Sequence, residues 1–222
     1  NGNVHGIIVL NVYNERLLRL LAETQIPKVF LDTSSLVAPD ELNGDLLLME
    51  SRTSVRRITC HLLEQGRTLP GFIGDISYAQ SNRERYEGFC QALADAGKKV
   101  DSSLCLTTPL GIDTYREEID TFLSSLSRMP DAFVCASDYV ACILMQLLEK
   151  RGLRVPEDVA VSGFDNNTED LLAEHLTTVQ VFNEELGARL ALQILYRIKY
   201  PNTPHEVTYL GTNVLYRDST GD

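Results

Sequence analysis

Short apolar runs and amphipathic stripes alternate along almost the whole chain. The runs are Gly6–Leu10, Lys28–Leu31, Asp45–Met49, Leu69–Gly74, Ala132–Cys135 and Val159–Ser162. Each is short, β-branched or leucine-rich, and apolar on both faces, which predicts strands buried on both sides. Between them lie helical periodicities. Val55, Ile58, Leu62 and Leu63 share one face ahead of Gly66; Tyr86, Phe89, Cys90 and Leu93 share another ahead of Gly97. Tyr115, Ile119, Phe122, Leu123 and Leu126 follow Asp113, a candidate N-cap. Val140, Ile143, Leu144, Leu147 and Leu148 follow Asp138 and stop near Gly152, and Leu186, Leu190, Ala191, Ile194 and Leu195 form the last stripe. These spacings, with cap and stop residues at their ends, predict helices. The tail, Val207–Tyr216, reads as strand interrupted at Gly211. Strand–helix units joined by short loops predict an α/β fold with mostly parallel, doubly wound sheets.

In such sheets ligands bind beyond the carboxyl ends of the strands. Three strand-to-helix junctions there carry polar groups. Asp75, Ser77, Tyr78, Ser81, Arg83 and Arg85 follow one strand, Ser137 and Asp138 the next, and Asp165, Asn166 and Asn167 the third. Carboxylates, amides and a guanidinium around one cleft suit a polyhydroxylated ligand, because each can bond two neighbouring hydroxyls. Asp138 reads equally as a helix cap and as a ligand contact. Arg83 reads as a solvated surface arginine. Asp165, after a glycine at a strand end, reads as a ligand contact.

Other chemistry finds no support in the residues. Gly71-Phe-Ile-Gly74 is neither a dinucleotide nor a Walker loop, and Val161-Ser-Gly163 lacks the first glycine of a nucleophile elbow. The four histidines are scattered, and Cys60-His61 is the one adjacent Cys/His pair, so neither a catalytic triad nor a metal site is expected. The expectation is therefore a binding protein with no cofactor, not an enzyme.

Charge narrows the partners. With 20 Lys+Arg against 31 Asp+Glu the net charge is −11, and the densest basic groups, Arg52/Arg56/Arg57 and Arg83/Arg85, are too small to track a duplex. No apolar run approaches the ~20 residues of a membrane helix, and no basic region followed by an apolar stretch marks a signal peptide. Five cysteines without a Cys-x-x-Cys pair read as reduced core thiols of a cytoplasmic protein.

The longest motif is Gly152-Leu-Arg-Val-Pro-Glu-Asp-Val-Ala-Val-Ser-Gly-Phe-Asp165-Asn166, followed by Leu176-Thr-Thr-Val179. With Gly6-Ile-Ile-Val-Leu10, Ile26-Pro-Lys-Val-Phe-Leu-Asp32, His61-Leu-Leu-Glu-Gln-Gly66, Phe72-Ile-Gly74, Arg85-x-x-Gly-Phe89 and Ala136-Ser-Asp138, it resembles the lactose-repressor (LacI/GalR) family of bacterial transcription regulators. The resemblance covers nearly the whole chain and falls in that family's effector-binding region, built like a periplasmic sugar-binding protein. It implies a small-molecule effector, a sugar or sugar derivative, bound between two lobes, and a homodimer whose DNA contact lies in a headpiece absent from this chain.

By the same match, the arginine of Arg-x-x-Gly-Phe and the aspartate of Gly-Phe-Asp hold the effector, which selects Arg85 and Asp165. Ser137-Asp138 stands where members usually have Asn-Asp, so the amide's paired donor and acceptor are lost there. Phe30 falls at an apolar cleft-lining position. Asp113 falls near a position where some sugar-responsive members stack an aromatic ring, with Tyr78 or Tyr115 as candidates to replace it. The match divides the chain into a partial N-terminal lobe, residues 1–31 and 178–203, and a C-terminal lobe, residues 32–177 and 204–222. A second reading of the same architecture is a periplasmic sugar-binding protein of a transport or chemotaxis system.

Overall fold

The structure is a computed structural model and describes residues 4–111, 113–167 and 174–222. It contains two compact units: residues 1–50, 77–81 and 182–211 form the first, and residues 51–76, 82–181 and 212–222 the second.

The first unit is built on four parallel strands, β1 (Ile7–Leu10), β2 (Lys28–Leu31), β3 (Asp45–Met49) and β9 (Val207–Leu210), in the order β1-β2-β3-β9. β2 is buried along its whole length, as is β3 except for Met49, because helices cover both faces. On one face Phe30, Leu46 and Leu48 pack with Leu18 of α1 (Glu15–Glu23). On the other, Val29, Leu31 and Leu47 meet Leu186, Leu190 and Ile194 of α6 (Asn183–Lys199). The apolar periodicity did not predict α1. Only Leu18 of that helix is buried, and Asn14 caps it by accepting from the Leu17 amide at 3.0 Å.

Strand pairing corrects the expected lobe boundary. Residues 32–50 and 204–211 were assigned to the second lobe on sequence, yet β3 pairs with β2, and β9 pairs with β3, inside the first unit. The polar segments Asp32–Ser35 and Tyr200–Pro204 both lie within that unit. Partner choice between strands is a non-local property, so a break in polarity along the chain does not locate it.

One buried ion pair ties the α6–β9 connection to the sheet. Arg197 and Asp45 are 2% and 0% exposed, and Arg197 Nη2 meets Asp45 Oδ1 at 2.5 Å. Gln193 Nε2 and the Glu206 amide also donate to Asp45, while the Arg197 guanidinium donates to the carbonyls of Thr203 and Pro204. Burial pushes the Asp45 carboxyl up, but the bonds from Arg197, Gln193 and the Glu206 amide together hold it below its ordinary value.

The second unit repeats the plan. Its parallel sheet is β5 (Cys105–Leu106), β4 (Pro70–Ile73), β6 (Ala132–Cys135) and β7 (Ala160–Ser162), in the order β5-β4-β6-β7. Ile73, Phe133 and Val161 enter a core with α4 (Tyr115–Ser125) and α5 (Asp138–Lys150). Phe72 instead lies against Tyr86 and Phe89 of α3 (Gln80–Asp95), with ring centroids at 5.1 and 5.7 Å. α2 (Arg52–Glu64) completes the helices, and β8 (Thr178–Gln180) pairs antiparallel with β10 (Asn213–Leu215). All five cysteines are unpaired thiols, and burial pushes the Cys105 thiol up to about 11.

Gly88, the glycine of Arg85-x-x-Gly-Phe89, lets α3 meet the start of α2. A Cβ there would sit 2.2 Å from the Arg52 carbonyl oxygen. Backbone cannot yield as a flexible side chain can, so Gly88→Ala is expected to lower stability by about 1–3 kcal/mol in urea unfolding. In the first unit, Arg197→Ala strands the buried Asp45 carboxylate. It is expected to cost about 3–5 kcal/mol at neutral pH by the same measurement. Because the folded-state pKa of Asp45 is depressed, that loss is full at neutral pH and shrinks as the pH falls through the folded pKa of Asp45.

Candidate functional site

The order β4-β6-β7 sets the carboxyl ends of three strands side by side. Register pairs Ile73 with Cys135 and Val134 with Ser162. The loops after these strands therefore lie on one edge of the second unit, where the sequence places its polar junctions.

Arg85 is the centre of that edge. It enters from the second turn of α3 and is 4% exposed. Its guanidinium lies over the Phe164 ring, 3.7 Å from the centroid, a geometry in which the π face offsets some of the lost hydration. Nη1 donates to the Ala136 carbonyl and touches Asn82 Oδ1 at 3.5 Å, while Nη2 lies 3.5 Å from Asp165 Oδ1. Nε is buried without a hydrogen-bond partner among the described residues. The arginine is thus oriented by the ends of β6 and β7, with donor capacity left over.

Asp165 leaves β7 through Gly163 and Phe164 in a left-handed backbone conformation, φ +105°, and Asn166 follows at φ +52°. Such values are unusual for residues with a Cβ and need support from their surroundings. The support is visible. The Asp165 amide donates to the Val179 carbonyl at 3.0 Å. Asn166 Nδ2 donates to Gln180 Oε1 at 2.5 Å, and Asn166 Oδ1 accepts from Arg217 Nη2 at 2.8 Å. The Asp165 side chain keeps 44% of its surface open. At 3.5 Å its contact with Arg85 is an ion pair rather than a hydrogen bond, so its oxygens retain acceptor capacity. Surrounding protein pushes the carboxyl up, and Arg85 draws it partly back.

Ser137 and Asp138 are spent differently from the sequence expectation. Ser137, not Asp138, is the N-cap of α5, accepting from the Val140 amide at 3.3 Å. Asp138 is 3% exposed; Oδ1 accepts from Thr178 Oγ1 at 2.5 Å and Oδ2 from the Asn167 amide at 2.7 Å. Burial pushes its carboxyl up to about 6 against the opposing effect of those two bonds.

Each of the remaining expected site residues is described within its own unit. Phe30 is 0% exposed in the core of the first unit with Val9, Leu18 and Leu46, because β2 is covered on both faces; it lines no accessible surface there. Tyr78 belongs to the first unit, where it meets Tyr13 edge-to-face at 4.9 Å. Asp113 does not cap α4, whose N-cap is Thr114. It lines a recess of about 390 Å³ beside Tyr115, Tyr139, Arg116 and Gln146.

Some contributors lay outside the sequence expectation. Phe164, Asn166 and Thr178 lie inside quoted motifs, yet only the fold shows that they support Arg85, Asp165 and Asp138. Arg217 carries no local signal at all. In the first unit, Asp32 adopts φ +58° at the end of β2 and accepts from Ser81 Oγ at 2.6 Å and Tyr13 Oη at 3.2 Å.

Paired nitrogen donors beside a half-open carboxylate can grip vicinal hydroxyls, each such charge-assisted bond contributing about 1.5–3 kcal/mol. Among the described residues no group of three His, Cys, Asp or Glu side chains is placed to hold a metal, and no helix is long and apolar enough to cross a membrane.

The periplasmic binding protein-like domain family matches residues 59–220. The HTH-type transcriptional repressor PurR of Aliivibrio fischeri (strain MJ11) is 30% identical over 220 residues, 97% of this chain and 64% of its own length. The HTH-type transcriptional regulator DegA of Bacillus subtilis (strain 168) is 31% identical over 173 residues, 77% of this chain and 49% of its own. The solved complex of the transcriptional regulator CelR with cellobiose superposes with a TM-score of 0.85 at 28% identity, covering 97% of this chain and 66% of that one. The chain therefore spans less than two thirds of these relatives, which are regulators and not enzymes. From fold, motifs and relatives together, the chain belongs to the periplasmic binding protein-like domain family and corresponds to the effector-binding region of LacI/GalR-type regulators.

Proposed function

We propose that this chain is the effector-sensing and dimerisation region of a LacI-type transcriptional regulator in the cytoplasm. The effector is a small polyhydroxylated molecule, a sugar or sugar derivative, held by Arg85 and Asp165. One observation carries the reading: a buried guanidinium, stacked on Phe164 with Nε unpaired, stands beside a carboxylate whose oxygens make no hydrogen bond among the described residues. Left-over donors and acceptors of this kind in one place are what a ligand hydroxyl pair satisfies. The cellobiose bound by CelR supports the ligand class. DNA contact is assigned to a headpiece outside these 222 residues, because a chain of net charge −11 is a poor binder of phosphates. The effector changes DNA affinity only by as much as its own affinity differs between the protein's conformations.

A thermal-shift screen of sugars, sugar phosphates and nucleosides tests the binding. A true ligand at a hundred times its Kd adds about 2.7 kcal/mol to folding stability, well above the noise of such a screen. Arg85→Ala and Asp165→Ala are each expected to abolish that shift while the ligand-free protein still melts cooperatively. An undiminished shift in both variants would put the site elsewhere. Light scattering at micromolar concentration is expected to report a homodimer; a monomer would remove dimerisation from the proposal.

A further inference from the structure

We propose that Asp138 is a positioning residue: its carboxylate clamps the Gly163–Asn167 loop so that Asp165 stays beside Arg85. The inference rests on the reading of Arg85 and Asp165 as the ligand contacts and adds to it a residue that never touches the ligand.

Asp138 grips the loop on both sides of Asp165. Its backbone amide donates to the Phe164 carbonyl at 2.8 Å, one residue before. Its Oδ2 accepts from the Asn167 amide at 2.7 Å, two residues after. Between these anchors lie Asp165 and Asn166, the two left-handed non-glycine residues of the loop. Its second oxygen, Oδ1, accepts from Thr178 Oγ1 at 2.5 Å, and the same hydroxyl accepts from the Asn166 amide at 3.3 Å. A Cβ on Gly163 would lie 2.2 Å from Oδ1, so the carboxylate packs flush against the glycine backbone. The glycine of the Gly-Phe-Asp motif is thereby accounted for by the clamp and not by the ligand.

In this arrangement both oxygens accept, from the Asn167 N–H and the Thr178 hydroxyl, and the ionised form does so with no competing donor. Protonation, or an amide, puts a donor at one of the two positions, where it either faces the Asn167 N–H or makes the Thr178 hydroxyl turn and accept. Yet ionisation is the costly form here. The folded-state pKa, about 6, lies above the ordinary 3.8, so the unit is most stable with Asp138 protonated and loses stability as pH rises from about 4 to about 6. Among the described residues, the charged and titratable groups facing the carboxyl are Asp165 from the β7 loop and Arg217 after β10, with opposing effects, and the Cys135 thiol of β6. The charged form adds nothing to the stability of the unit, whereas the ionised carboxylate accepts from both Asn167 and Thr178.

Asp138→Asn in the whole chain separates these roles. Amide hydrogen exchange at Asp165 and Asn167, measured without ligand at pH 7, is expected to quicken by at least about tenfold while the melting temperature stays level or rises. In the wild type, the same two amides are expected to lose protection, after correction for intrinsic rates, as pH falls from 7 to 5. Thr178→Val, which keeps the charge and removes one bond, should give a smaller loss. Where ribose or cellobiose binds the wild type, the variant's Kd should rise about tenfold or more and its pH profile between 5 and 7 should flatten. Unchanged exchange at Asp165 and Asn167 overturns the proposal. A lowered melting temperature with exchange quickened evenly across the unit overturns it too, as that marks a merely structural residue. If neither sugar binds the wild type, the sugar reading of the ligand loses its support, while the exchange experiment still decides the clamp.

Discussion

A guanidinium almost removed from water must be repaid in local contacts, and Arg85 organises the second unit around that need. It draws a carbonyl from the end of β6, an aromatic face from the β7 loop and a carboxylate from the next residue. None of these satisfies Nε. The strand order β4-β6-β7 matters because it brings these three sources to a single side chain. Gly88 lets α3, the helix that carries Arg85, pack closely against the start of α2.

Both units place non-glycine residues in left-handed conformations where strands end. Asn11 and Asp32 do so after β1 and β2, and Asp165 and Asn166 after β7. At Asp32 and in the β7 loop, polar side chains from elsewhere hold the turn. Ser81 and Tyr13 hold Asp32; Thr178, Gln180, Arg217 and Asp138 hold the β7 loop. Strain supported in this way keeps a carboxylate in a fixed direction, which is what selective recognition of a hydroxylated ligand requires. At the far end of its sheet, the first unit uses the Asp45–Arg197 pair for a different purpose, binding a loop to a strand terminus.

Most strands and five of the six α-helices among the described residues were legible in the sequence, and Arg85 and Asp165 were legible as polar groups at strand-to-helix junctions. Strands buried on both faces read as continuous apolar runs, and helices with one buried stripe read as a 3.6-residue period. The helix α1 was not, since Leu18 is its single buried residue. β5 was not, since two residues carry no period. Ser137 and Asp138 were legible as polar groups at a strand end, but their partners were not. Thr178 and Asn167 lie 40 and 29 residues away along the chain.

Local pattern by itself determined the alternation of strand and helix, the parallel sheet class and the sheet edge that gathers the polar junctions. It could do so because periodicity and turn chemistry act over a few residues. Tertiary structure alone decided which strands share a sheet, and so moved β3 and β9 into the first unit. It also decided which polar side chains are consumed internally and which keep free capacity. Satisfaction of a buried donor or acceptor depends on atoms distant in sequence, and so only the folded chain could separate Asp165 from Asp138.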